Sequence, residues 1–189
     1  MVDRNKGNEW EVCKMHDYRP EMSLPKTTLQ KIANGIGYGV FIISVLYSIL
    51  NLPTLPSDVP IHFNFAGEVD GWGSKYVLLL LPFIGVVTVL ALAAVEKRPH
   101  MHNYPQHINE TNVRQFYEIS IRTANLIKSG TLIIFGLLQI EIVLAAKESS
   151  VTFGNILFGA MIVFLILPIA WHIYSMVQLK PTKENSNGV

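Results

Sequence analysis

The chain has 189 residues, of which 50% are hydrophobic and only 15% charged, and its formal net charge is +1. A soluble domain carries about 25% charged residues, so the composition points to a membrane, and the near-zero net charge removes nucleic acid as an implied partner. The single cysteine, Cys13, excludes an internal disulfide and a cysteine-based zinc site.

Residues 1–31 are polar and are expected to form a cytoplasmic tail. They contain no apolar stretch with a small-residue cleavage site, so no cleaved signal peptide is expected. Four apolar segments follow, near residues 32–52, 76–95, 129–146 and 156–176. A spanning helix needs about 20 mostly apolar residues. The expected fold is therefore an all-α integral membrane protein with four transmembrane helices inside residues 32–179. An ordered extracytoplasmic loop and a cytoplasmic amphipathic helix complete it, and residues 180–189 form a second cytoplasmic tail. In the first segment Gly35 and Gly39 make a small-xxx-small pair suited to a helix contact. Pro82 and Pro168 are expected to kink their helices.

Lys and Arg set the orientation. The tail before the first segment, loop 96–128 and the C-terminal tail together hold 13 of these residues. The other two loops hold only Lys75 and Lys147. Both termini are thus expected in the cytoplasm of a multi-pass cell-membrane protein, with loop 52–75 outside.

That outer loop reads LPTLPSDVPIHFNFAGEVDGWGSK. Pro53, Pro56 and Pro60 forbid continuous helix, and Gly67, Gly71 and Gly73 permit tight bends. Ile61, Phe63 and Phe65 alternate with His62, Asn64 and Ala66, a strand-like spacing that places His62 and Asn64 on one face. Glu68 and Asp70 follow a turn and can fold back toward His62. Three readings are open. The loop is a rigid hydrogen-bonded cap anchored by Trp72; or it binds a peptide or small ligand; or His62, Glu68 and Asp70 hold a divalent metal or move protons.

The inner loop contains EKRPHMHNYPQHINETN. His100, His102, His107 and Glu110 form a second candidate metal cluster, against the plainer reading of a polar interfacial turn with Tyr104 in the aromatic belt. From about Ile108 the apolar residues Val113, Phe116, Tyr117, Ile121, Ala124 and Ile127 recur at helical spacing. Asn109 can cap this helix. It is expected to lie along the inner membrane surface and to run into the third segment. There, Glu141 is an intramembrane acid and hence a functional candidate; the alternative is outward snorkelling or pairing with Lys147 or Lys75. His172, beside Trp171, reads as an interface anchor.

The run LPSDVPIHFNFAGEVDGWGSK, followed by YVLLLLP, resembles the bacterial membrane family called domain-of-unknown-function family 1648. That family's pattern is roughly LP..IP.HFN..GE.D.WGSK leading into a membrane segment. The resemblance covers about residues 52–82. Some relatives belong to the Sdp immunity protein group, which protects against a secreted toxic peptide and signals by holding a repressor at the membrane. The resemblance thus implies binding and signalling at the outer face, with His62, Asn64, Gly67, Glu68, Asp70 and Trp72 as the matching positions. A cytoplasmic regulator is the implied partner besides the lipid bilayer. The immunity proteins carry a second membrane half with a GxRTPWT-like motif, which has no counterpart in these 189 residues. No phosphate loop, nucleophile elbow or HExxH motif is present. The expectation is a non-enzymatic protein that binds a peptide or small ligand outside, in toxin immunity or signalling. The alternatives are a metal-dependent membrane enzyme at His62, Glu68 and Asp70, or a small transporter using Glu141. Four helices leave little room for a pathway, so a transporter implies a homo-oligomer.

Overall fold

A computed structural model describes residues 19–64, 66–105, 108–148 and 154–179. The tails 1–18 and 180–189, Phe65 and His107 lie outside the described residues. The chain is mostly helical: α1 (Thr28–Asn51), a β-hairpin of β1 (Asp58–Phe63) and β2 (Val69–Ser74), α2 (Val77–Glu96), α3 (Val113–Glu148), α4 (Gly154–Met161) and α5 (Leu167–Gln178). A π-helical turn, Ile162–Ile166, joins α4 to α5. Among the described residues four helical stretches are long and apolar enough to cross a membrane. Their outward faces fit lipid, since Ile42, Leu50, Phe83, Leu90 and Ile166 are all exposed.

α1 starts at a capping box. The Thr27 hydroxyl accepts from Gln30 N at 3.3 Å, and Gln30 Oε1 accepts from Thr27 N at 2.8 Å. α3 is the central element and packs against α1, α2, the α4–α5 arm and β1. Close approach to α1 depends on Gly37, where a Cβ would lie 3.0 Å from Ser129 O. On the other side, a Cβ at Gly130 would lie 2.6 Å from Phe164 Cβ. Nothing lies within 4 Å of a Cβ at Gly35 or Gly39, so the helix contact runs through Gly37 and not through the predicted pair.

The two prolines act on the backbone in different ways. Pro168 has no N–H for the carbonyl of Phe164, four residues earlier, and the π-helical turn lies immediately before it. A π-turn is a common way for a helix to absorb such a break. Pro82 stays inside α2 and deprives the Leu78 carbonyl of its donor in the same way. Here the missing bond comes from another helix: Gln139 Nε2 of α3 donates to Leu78 O at 2.8 Å.

The amphipathic helix runs into the third segment, as expected. It is the first half of α3, 36 residues in one helix, or about 54 Å at 1.5 Å per residue. That is far more than a hydrocarbon core of about 30 Å. No proline interrupts it, so nothing turns it onto the membrane plane. Its apolar face is covered by protein: Val113, Phe116 and Tyr117 pack with Tyr104, Ile108 and Met176, and with Met22 and Leu24 of the N-terminal arm. Tyr104 is accordingly a core residue and not an interfacial one. Its hydroxyl donates to Pro99 O at 2.9 Å, and burial pushes its phenol up to about 12. The helix begins at Val113 and not near Ile108, because Asn109–Asn112 form a turn in which Asn112 Oδ1 accepts from Asn109 N at 2.8 Å.

Candidate functional site

At one end of the bundle the hairpin rests on the helix ends. Leu55 and Val59 pack with Leu78 of α2 and Ile142 and Val143 of α3. Lys75 closes its base, donating from Nζ to Leu55 O at 3.1 Å and from its backbone to Ser57 O at 2.9 Å.

The turn is organised by Asn64. Its Oδ1 accepts from Ala66 N and Glu68 N, both at 2.9 Å, and its Nδ2 donates to Glu68 Oε2 at 2.9 Å. This is the Asx-type geometry in which an Asn side chain stands in for a backbone turn. Gly67 completes it at φ 81, in the left-handed region that suits glycine. Gly71 faces His62 across the strands, where a Cβ would lie 2.9 Å from the His62 Cβ.

The strands do not keep strict alternation. The register shifts between Pro60 and His62 and again between His62 and Phe63, a pair of compensating bulges. Val59 and Pro60 are therefore both buried, while Ile61 and His62 are both exposed. The shift leaves His62 Nδ1 in contact with Asp70 Oδ1 at the surface; the side chains are 71% and 45% exposed. Trp72, paired with Pro60, is 55% exposed.

The six motif residues thus divide. Asn64, Gly67 and Glu68 build the turn, whereas His62, Asp70 and Trp72 face outward. Glu68 would have to release Asn64 to join the His62–Asp70 pair. Among the described residues no three His, Cys, Asp or Glu side chains converge as metal ligands. In the inner loop, His100 faces Glu21 at 3.7 Å, and His102 holds Ser120 and Val95 O. Since Val95 O can only accept, His102 Nε2 donates to it at 2.8 Å, and Nδ1 accepts from the Ser120 hydroxyl. His172 reaches Thr123 Oγ1 of α3 at 3.0 Å. Glu141 is completely buried and does not snorkel. Lys147 donates to Asn51 Oδ1, and Lys75 donates to Leu55 O at the hairpin base.

The structure also holds a polar centre that sequence reasoning missed. At the end opposite the hairpin, the last residue of α2, Glu96, is buried against Lys128 of α3. Asn125 Nδ2 donates to Glu96 Oε1 at 2.9 Å and to Asn34 Oδ1 at 3.1 Å, and Ser129 Oγ donates to Asn34 Oδ1 at 3.2 Å. Lys26 of the N-terminal arm adds a second cation at 3.1 Å. An open cleft of about 490 Å³ lies beside it, bordered by Glu21, Lys97 and His100. The available signal was the polar spacing of Asn125, Lys128 and Ser129 on one helix face.

Residues 39–86 match the family described as domain of unknown function (DUF1648). The match runs from α1 through the hairpin into α2. An uncharacterized protein of Archaeoglobus fulgidus is 36% identical over 66 residues, which covers 34% of this chain. The aligned region spans only 36% of that relative's length. No solved structure matches the chain. The helix–hairpin–helix unit that carries the HFN and GEVDGWGSK residues is thus the part of the chain similar to the DUF1648 family.

Proposed function

We propose that the hairpin is a ligand-docking platform on the outer face of the cell membrane, binding a peptide or small ligand in toxin immunity or signalling. The observation that carries this reading is the division of the motif. Asn64, Gly67 and Glu68 are consumed in holding the turn, while His62, Asp70 and Trp72 are left exposed on the strands beside it. Exposed aromatic and charged side chains on a preorganised element are what peptide recognition uses. The 13-to-2 bias of Lys and Arg supports placing this end outside and the Glu96 end in the cytoplasm. The charged, histidine-bearing cleft at the inner end then offers a surface for a cytoplasmic regulator.

The test is protection of a strain sensitive to an Sdp-type toxic peptide, with variants matched for membrane level. Wild type protects, and Trp72→Ala and His62→Ala each lose most of that protection. Protection at the wild-type level by both variants, or none by the wild type, refutes the reading. Complete burial of Glu141 in α3 favours small-molecule transport as a second reading; flux into vesicles that survives Glu141→Gln refutes it.

A further inference from the structure

Where the N-terminal arm meets α3, a pocket of about 240 Å³ opens at the level where α1 begins. Its cations are Lys26, Arg114 and Arg122, its carboxylate is Glu118, and Leu24 and Ile121 form apolar walls. The charges here do not cancel. Glu96 is shared by Lys26 and Lys128, and Glu118 is taken by Arg114 Nε at 3.0 Å. The lining therefore carries three cations and one carboxylate, and Glu96, outside it, reaches only Lys26 of the three. Among the described residues Arg122 has no ion-pair partner, and Arg114 engages Glu118 through Nε alone, which leaves its terminal nitrogens for another acceptor. The N-terminus of the 24-residue α1 reaches the same pocket through Thr27 and Gln30, and its dipole adds to the positive field.

We propose that this pocket binds a phosphate group, presented by an anionic lipid headgroup or arriving as free phosphate. Guanidinium groups match phosphate oxygens in geometry as well as charge. Basic pockets between helices at a membrane surface are a recurring place for lipid headgroups. The volume lies below the roughly 300–1,000 Å³ of sites for drug-sized molecules, which suits a headgroup rather than a larger ligand. The apolar walls supply a surface on which the first carbons of an acyl-glycerol can lie. This site is at the opposite end of the bundle from the hairpin and stands whether or not the hairpin binds a peptide.

The experiment is lipid retention and thermal melting of the purified full chain in detergent, titrated with phosphatidylglycerol, phosphatidylcholine or inorganic phosphate. Phosphatidylglycerol is expected to be retained and to raise the melting temperature, and phosphatidylcholine to do neither. Arg114→Gln with Arg122→Gln should weaken phosphatidylglycerol binding about tenfold or more, the factor that corresponds to about 1.4 kcal/mol. Arg98→Gln removes one charge outside the pocket and should leave binding intact. Glu118→Gln should tighten binding, a gain that misfolding cannot imitate. A shift with millimolar inorganic phosphate alone, lost in the double variant, assigns the site to free phosphate; a shift with phosphatidylglycerol only assigns it to lipid. Equal retention of phosphatidylglycerol by wild type and double variant overturns the proposal, as does no response to either phosphate source.

Discussion

The bond from Gln139 to Leu78 makes a sharp prediction about Pro82. Leu78 is buried, and Pro82 cannot supply the intrahelical donor its carbonyl would otherwise receive. Gln139 fills that gap from the neighbouring helix at 2.8 Å. Replacing Gln139 by Leu keeps the volume and strands the carbonyl. A buried acceptor left without a donor costs about 1–3 kcal/mol, although interhelical bonds inside bilayers average only about 0.6 kcal/mol and reach about 1.7. Gln139 Oε1 is itself buried without a partner among the described residues, so the leucine also removes an unsatisfied oxygen. The net cost should therefore be about 1 kcal/mol, or about 2–4 °C in melting temperature for a chain of this size. Pro82→Ala restores an N–H to α2 and should recover most of that loss in the Gln139→Leu background, while gaining little where Gln139 is present. The coupling energy should approach the size of the single effect. Thermal unfolding of the four proteins in detergent, followed by circular dichroism, measures it. If Gln139→Leu costs the same with and without Pro82, the account of this contact is wrong.

Other sites carry predictions of their own. Gly67→Ala forces a side chain into the left-handed region at about 1–2 kcal/mol. It should speed amide exchange across Asn64–Glu68, whereas Gly67→Asn should not. Lys128→Met leaves Glu96 buried with only the partly exposed Lys26, and breaking such a pair costs about 3–5 kcal/mol. Lys26→Gln should cost below about 1 kcal/mol in the same melting assay. A Cβ at Gly130 meets Phe164 Cβ at 2.6 Å and Phe164 O at 2.8 Å. Gly130→Ala should thus destabilise by about 1–3 kcal/mol, while Gly35→Ala and Gly39→Ala, with open space around them, should melt at or above the wild-type temperature.

Composition and run length made the spanning helices legible, because lipid imposes a length and an apolarity that a sequence carries on its face. What covers an amphipathic face is a different kind of fact. Val113, Phe116 and Tyr117 have the same period whether they meet lipid or protein, and most of their actual cover, Met22, Leu24 and Met176, lies far away along the chain. Glu96 and Lys128 were legible only as loop charges, since nothing local says that the end of α2 comes level with the middle of α3. The hairpin failed more subtly. The alternation of Ile61, His62 and Phe63 pointed to strand, and a strand formed, but two bulges turned Ile61 and His62 to the same exposed side.

The consequence for the motif is that its residues are required for two unlike reasons. Within Asn64–Glu68 the demand is conformational: an amide that can replace a backbone turn, a residue without a Cβ at φ 81, and a carboxylate to hold the amide. At His62, Asp70 and Trp72 no such demand exists. An exposed pair and an exposed indole contribute little to stability, because surface ion pairs are worth about 0–1 kcal/mol. Substitutions in the first group should therefore lower stability and function together. Substitutions in the second should leave the fold in place, so any loss of function they cause reports on what the hairpin touches.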